Sequence, residues 1–508
     1  MKELEARSSK EKENKLEARS SKLEGKRKRL EAGSWKLEGK IKNSSKLEAG
    51  SSKGSQQQTE RPENSTKHTQ MNNRNNKFFN NNHQSNDFPM AALAWGQSLF
   101  GNAMFLNSNN YQHDKYESIQ GVIALGAADQ VYANADDAFE QLKEFSDAHP
   151  DWLFGFFSYE LKNQLERLQS KNPDHVCMPD MHFFRPVIVL LRKPEGWHIG
   201  CLPGYGNLSD PDCVYRSICE QNQIESVNAR LPEITARVDK KRYLDRLHAI
   251  KAHIQQGDIY EMNYCVEFFA EQAAINPLSV YDSLNRVSPT PFSCFCQLND
   301  KYLMCASPER FLKKQDQTLI SQPIKGTGAR GGNPEEDERL KQALYHDLKE
   351  RSENVMIVDL VRNDLSRTAE KDSVRVEELF GIYTFPQVHQ MISTVVSKLD
   401  NRHHFVDAIK NAFPMGSMTG APKIRAMELI DLYEDTRRGL YSGAVGYISP
   451  EKNFDFNVVI RSVLYNAKKQ YLSYMAGSAI TAASVPESEY QECLLKAKAM
   501  EQALVAAL

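Results

Sequence analysis

Hydrophobic positions are unevenly spread along this chain. Up to about residue 87 they stand alone among Lys, Glu, Ser, Asn and Gln; from Phe88 onward they recur in groups. The continuous runs Trp152-Leu153-Phe154-Gly155-Phe156-Phe157-Ser158-Tyr159 and Val187-Ile188-Val189-Leu190-Leu191 predict buried strands. Tyr243, Leu247, Ile250 and Ile254 recur every three or four residues, predicting a helix from about Val238 that stops at Gly257. Val358-Asp359-Leu360-Val361 reads as a strand-like run, with Arg362-Asn363-Asp364 behind it able to fix a turn. Further helices are predicted through Leu340, Leu344 and Leu348, over 424–432, and from Pro486 past Leu494 and Leu495; further strands at 441–447, at 458–460 and at 475–479. The 88–235 region is mixed α and β without a motif, whereas chemistry-bearing motifs crowd into 236–508.

The first part of the chain differs in kind. Leu4-Glu5-Ala6-Arg7-Ser8-Ser9 returns as Leu16-Glu17-Ala18-Arg19-Ser20-Ser21, with shorter echoes at Leu37-Glu38 and Leu47-Glu48, and an Asn/Gln-rich stretch follows. Such composition buries too little apolar surface to offset its ordering entropy, so 1–87 is expected to be disordered. The repeat lacks the apolar core of a secretory signal, and its nine glutamates are unlike an organellar transit peptide. Met71 or Met90 is the expected natural start. Residues 1–53 carry 16 Lys and Arg against 9 Glu, a surplus of +7 that leaves −9 on the remainder against a total of −2; the basic character is therefore local and suggests no nucleic-acid partner. Nine cysteines at irregular spacing, and no apolar run of membrane-spanning length, point to a cytoplasmic protein with free thiols.

Several segments carry candidate chemistry. Pro323-Ile324-Lys325-Gly326-Thr327-Gly328 sets a lysine beside glycines that admit a ligand to the backbone; alone, it would read as a solvated strand-end lysine. Glu350 and Glu353 share one helix face by their spacing of three, as do Glu489 and Glu492 after Pro486. Two such faces brought together would offer hard oxygen ligands to Mg2+, although either pair alone is more often a solvated helix face. The Gly/Pro-rich loop Phe413-Pro414-Met415-Gly416-Ser417-Met418-Thr419-Gly420 runs into a helix start, where free amides can meet an anion or simply begin the helix. Arg461 follows Val458-Val459-Ile460 and needs an anionic partner, internal or bound.

Taken together and in this order, these segments resemble the chorismate-utilising enzymes: anthranilate synthase component I, aminodeoxychorismate synthase component I, isochorismate synthase and salicylate synthase. The resemblance spans 238–508 and, more loosely, Gly155-Phe156-Phe157-Ser158-Tyr159. It implies an α+β fold, a large two-sheet sandwich with outer helices, made of an N-terminal region (88–235) and a chorismate-binding catalytic region (236–508). At the position of Lys325 the aminating members of the family usually have lysine and the anthranilate-forming members alanine. The implied mechanism has the neutral Lys325 amine attack C2 of chorismate as the 4-hydroxyl leaves, with Glu309 as general acid/base and His389 beside the leaving hydroxyl; ammonia then enters at C4. A desolvated pocket beside Mg2+ is expected to lower the Lys325 pKa toward that neutral form. By the same matching Glu353 and Glu492 are the Mg2+ ligands, supported by Glu350 and Glu489. Tyr441 and Arg461 grip the enolpyruvyl carboxylate, with Thr327, Thr419, Gly477 and Ser478 close by.

Three positions depart from the family pattern: Ser478 in Ala476-Gly477-Ser478-Ala479, Gly328-Ala329-Arg330 after Thr327, and Glu261 where the family often has glutamine and water-adding members a lysine. The lack of that lysine argues against isochorismate or salicylate formation. No cysteine nucleophile of a glutaminase is recognisable, so the resemblance implies a separate glutamine amidotransferase subunit as ammonia source and a downstream lyase. The rival readings are an anthranilate synthase component and a non-catalytic scaffold that binds the amidotransferase.

Overall fold

A computed structural model describes residues 71, 73–80, 88–133, 137–166, 168–221 and 229–508. The basic repeat lies outside these residues. Among the named strands every pairing is antiparallel, and together they form one hydrogen-bonded network with two arms. The arms diverge at the long pair Gly121–Ala133 and Met181–Lys193, whose strands are long enough to serve both. One arm continues through Asn102–Asn107, Phe292–Leu298, Lys301–Ser307, Ser462–Asn466 and Tyr471–Thr481 to Glu261–Ala270. The other runs through Leu153–Phe157, Ala444–Ile448, Phe454–Asn457, Arg310–Gln315 and Thr318–Gln322 to Val388–Lys398. The expected sandwich stands, with the amendment that its sheets are continuous through the shared strands.

Alternation along the strands assigns the layers. In Glu261–Ala270, Met262, Tyr264, Val266 and Phe268 face the core beneath the helices Lys240–Gln256, Lys423–Tyr433 and Pro486–Ala506, while Cys265 faces the core shared by the two arms. The helix predicted from Tyr243, Leu247 and Ile250 buries those residues and ends at Gly257, whose φ of 84° is the left-handed value a glycine C-cap supplies. In each arm an N-terminal strand pairs directly with a C-terminal one: Asn102–Asn107 with Phe292–Leu298, and Leu153–Phe157 with Ala444–Ile448. Gly155 and Gly446 face each other in that second pairing, and a Cβ on either would lie 2.1 Å from a backbone oxygen. The described residues from Met71 onward fall in one compact unit.

Two expectations need correcting. Val358–Val361 is helical, inside Leu348–Ser366, because a four-residue apolar run does not distinguish a strand from the buried stripe of a helix. The segment expected to be disordered to residue 87 contains the strand Asn75–Asn80, paired with Gly196–Cys201. Its side chains are mostly exposed, so it is held by ladder hydrogen bonds and by the buried Arg74, which donates to Asp151 at 3.0 and 2.8 Å and to the carbonyls of Pro186 and Val187. A chain begun at Met71 retains this anchor and one begun at Met90 loses it, leaving Asp151 unpaired. Losing one partner of a buried pair costs about 3–5 kcal/mol, so the shorter form is expected to melt lower by about 3–5 °C in a thermal-shift comparison of the two.

Candidate active site

The polar face of Glu261–Ala270 begins the site. Glu261 is fully buried, and one of its carboxylate oxygens accepts a short hydrogen bond from Lys325 Nζ across the cleft. Its backbone is locked on both sides, by Thr481 of the neighbouring strand and by Ala421 of the Gly/Pro-rich loop. Tyr260 N donates to Ala421 O at 2.7 Å and Asn263 N to Thr419 O at 2.9 Å. Gly420 has to be glycine here, since a Cβ would stand 2.2 Å from the Glu261 carbonyl oxygen. The loop thus clamps a strand edge. Thr419 is buried, and its hydroxyl donates to Met415 O at 3.0 Å.

Lys325 projects from Ile324–Ala329 and is almost wholly enclosed. Burial pulls its pKa down, but Glu261, Glu353 and Glu309 outweigh that pull and the net displacement is upward. Desolvation is only one side of the balance when a carboxylate contacts the ammonium. Asn354 supports the strand by donating to Lys325 O at 3.4 Å while accepting from Ser393 at 2.6 Å. Thr327, two residues along, is exposed.

Glu309 sits in the turn after Ser307, whose hydroxyl accepts its amide at 3.2 Å, and its own carboxylate accepts Ile324 N at 3.4 Å. Burial raises its pKa to about 7, against the opposing pull of Ser417, the Ile324 amide, Lys325 and Arg461. Behind it stand Phe311, Leu312, Val361, Leu365, Ala412 and Met415, whose apolar side chains contribute to that desolvation. Arg461 faces Glu309 from the chain leading into Ser462–Asn466, in the left-handed region at φ 50°. Burial lowers its pKa, opposed by Glu309 and Cys305. Among the described residues its guanidinium has no hydrogen bond or ion pair, whereas the buried Arg310 and Arg438 are each saturated by carboxylates. Arg461 is half-buried, and a fork of donors without an internal acceptor suits a carboxylate.

The edge beside Arg461 is open. Ser462–Asn466 covers Tyr471–Thr481 only as far as Tyr474, so from Met475 onward that side has no strand partner among the described residues. Gly477 is glycine because a Cβ would lie 2.1 Å from Tyr264 O; its carbonyl accepts Lys496 Nζ at 3.0 Å. Ser478 is buried on the helix-facing side next to Tyr243, leaving its backbone as the part available to a ligand. Tyr441 is buried, and its hydroxyl lies 3.8 Å from Cys265 Sγ.

The two acidic helix faces act on a common neighbour, Lys349. Burial pulls Lys349 down, but Glu353, Glu350, Glu489 and Glu492 outweigh it, so carboxylates of Leu348–Ser366 and Pro486–Ala506 act on one ammonium, Glu353 lying 3.9 Å from it. Glu353 is buried, one of its oxygens has no hydrogen-bond partner, and burial raises it to about 7 with Lys325 opposing. Glu350 is raised as well, chiefly by burial, and Glu489 is buried. Glu492 is more open and pairs with Lys496 at 2.8 Å. Among the described residues no three His, Cys, Asp or Glu side chains form a ready-made metal cage.

His389 is enclosed with both ring nitrogens engaged, one by Thr384 Oγ1 and one by Asp337 Oδ1, each at 3.0 Å. Asp337 also binds Arg330 at 2.7 and 2.9 Å, so the arginine of Gly328-Ala329-Arg330 is committed internally. Sequence reading assigned no role to Glu261, Lys349, Lys496 or Asn354. Lys496 carried a signal, four residues beyond Glu492 on the same face. Glu261 carried only its departure from the family pattern.

Residues 101–502 match the chorismate binding enzyme family. Aminodeoxychorismate synthase component 1 of Bacillus subtilis is 34% identical over 366 residues, 69% of this chain and 76% of that protein. Anthranilate synthase component 1 of Aquifex aeolicus is 31% identical over 400 residues, 72% of this chain and 78% of that one. The crystal structure of anthranilate synthase component I from Streptococcus pneumoniae superposes with a TM-score of 0.66 at 27% identity, covering 77% of this chain and 94% of that one.

Proposed function

The chain belongs to the chorismate binding enzyme family, and on that premise we propose that it aminates chorismate at C4, giving 4-amino-4-deoxychorismate with the enolpyruvyl ether retained. The observation that carries the choice of reaction is Lys325, an enclosed amine between a carboxylate partner, Glu261, and an acid of pKa about 7, Glu309. Arg461 holds a substrate carboxylate beside the open edge at 475–481. Lys325 Nζ bonds to C2; the ring double bonds shift and the C4–O bond breaks, the departing hydroxyl taking the Glu309 proton and leaving as water. Ammonia then bonds to C4, the double bonds shift back and the C2–Nζ bond breaks. The nitrogen added at C4 returns a proton to Glu309, so the sum is chorismate plus ammonia to product plus water.

Mg2+ suits the acidic end of the site. It keeps several waters and takes one or two carboxylates, which suits a Glu353 oxygen without a hydrogen-bond partner and three further acids acting on the same lysine. Glu353 and Glu492 would hold it, with Glu350 and Glu489 on its water, and its charge would fix the ring carboxylate. Lys349 lies 3.9 Å from Glu353 and Lys496 2.8 Å from Glu492. Ammonia comes from a glutamine amidotransferase subunit, and a lyase completes the route to 4-aminobenzoate for folate synthesis. A cytoplasmic place of action fits nine free cysteines; no helix among the described residues is long and apolar enough to cross a membrane.

Purified protein incubated with chorismate, ammonium and Mg2+ tests the reading. We expect 4-aminobenzoate only when aminodeoxychorismate lyase is added, and no turnover with EDTA. Anthranilate formed without the lyase would overturn it in favour of the pyruvate-eliminating reaction.

A further inference from the structure

An ammonium cannot attack carbon, so Lys325 must lose a proton inside a closed site before it reacts. We infer that Glu261 is the proton acceptor of Lys325, taking the proton directly from Nζ, freeing the amine for attack on C2, and returning it when the lysine is expelled. This rests on the amination reading above.

The geometry carries it. Glu261 is fully buried, one oxygen sits on Lys325 Nζ, and the other has no partner among the described residues. On the same strand face, six residues on, Glu267 shows how a structural carboxylate is satisfied here: Tyr471 at 2.9 Å and Ser473 at 2.7 Å on one oxygen, Arg237 at 2.9 and 2.8 Å on the other. Burying a carboxylate with half its acceptors empty is a poor way to stabilise a fold. The same arrangement suits a group that alternates between carboxylate and carboxylic acid. The clamp of Ala421 on one side and Thr481 on the other holds Glu261 so that its side chain meets Nζ without rearrangement.

Protons balance through the cycle. The first passes from Nζ to Glu261 as the Nζ–C2 bond forms, and goes back to Nζ as that bond breaks; Glu309 separately gives one to the leaving hydroxyl and regains one from the nitrogen at C4. The charged groups facing Lys325 besides Glu261 are Glu353 and Glu309, with Glu350 further along; Lys349 lies against Glu353 and Arg461 faces Glu309.

The test is the pH dependence of ammonia-driven turnover. Moving a proton from Lys325 to Glu261 changes no net protonation, so wild-type kcat is expected to be flat below about 7, where Glu309 keeps its proton. In Glu261→Gln the amine must discharge to solvent, and kcat should climb about tenfold per pH unit over that range, with chorismate KM little changed. Glu261→Asp, which keeps a carboxylate, should remain flat. A flat profile for the Gln variant, or a slope in the Asp variant equal to it, overturns the inference. Should neither variant fold, intact-mass kinetics of the Lys325–chorismate adduct in wild type without ammonia decides: a flat rate supports Glu261, a tenfold rise per pH unit defeats it. Release of anthranilate by wild type would instead sink the amination reading, and is seen separately in the product.

Discussion

Lys325→Ala is expected to lower kcat for 4-amination by on the order of 10^4-fold, the scale on which removing a nucleophile acts. Chorismate affinity should stay within about threefold, because Arg461, the open strand edge and the acidic cluster are untouched. The substitution also leaves Glu261 as a buried charge without its cation, which costs about 3–5 kcal/mol. A fall in melting temperature should therefore accompany the loss of rate. Adding Glu261→Gln to Lys325→Ala separates the two effects: it should restore most of the stability and none of the activity. Isothermal titration with chorismate, thermal melts and product chromatography on the single and double variants check this, and near-wild-type turnover in either would rule out the lysine adduct.

Glu309→Gln is expected to reduce kcat by about 10^2 to 10^4-fold. Burial holds Glu309 at about 7, so it is protonated and able to donate below that pH, and loses the proton as pH rises through it. Wild-type activity should accordingly fall on the alkaline side of about 7, and this limb should vanish in the Gln variant, which has no proton to lose. Persistence of the limb at the same midpoint would assign it to another group.

How much of this was legible beforehand depends on range along the chain. Local spacing gave the helix through Tyr243, Leu247 and Ile250 and the same-face pairs Glu350/Glu353 and Glu489/Glu492, because a helix turns a three-residue interval into adjacency. It could not give the action of those two faces on Lys349, nor the Lys325–Glu261 contact, since neither follows from any interval. The strand Asn75–Asn80 was invisible because it is stabilised by backbone pairing and one buried arginine, not by an apolar stripe. The balance at Lys325 was half legible for a related reason: burial is foreseeable from flanking apolar residues, whereas the three carboxylates opposing it arrive from distant segments. For His389, the motif drew attention to the residue, yet its nitrogens are spent on Thr384 and Asp337.

The pairing of early strands with late ones bears on how the protein is made. When Asn102–Asn107 and Leu153–Phe157 leave the ribosome, their partners Phe292–Leu298 and Ala444–Ile448 have yet to be synthesised. Each early strand therefore waits with an unpaired hydrogen-bonding edge, and Leu153–Phe157 waits with side chains that end fully buried. Domain-wise folding during translation is closed to this topology. Yield in a cell should then track the protection of that waiting segment by chaperones, and a nascent chain stalled before residue 444 should be readily digested by protease across 88–235, however stable the finished enzyme is.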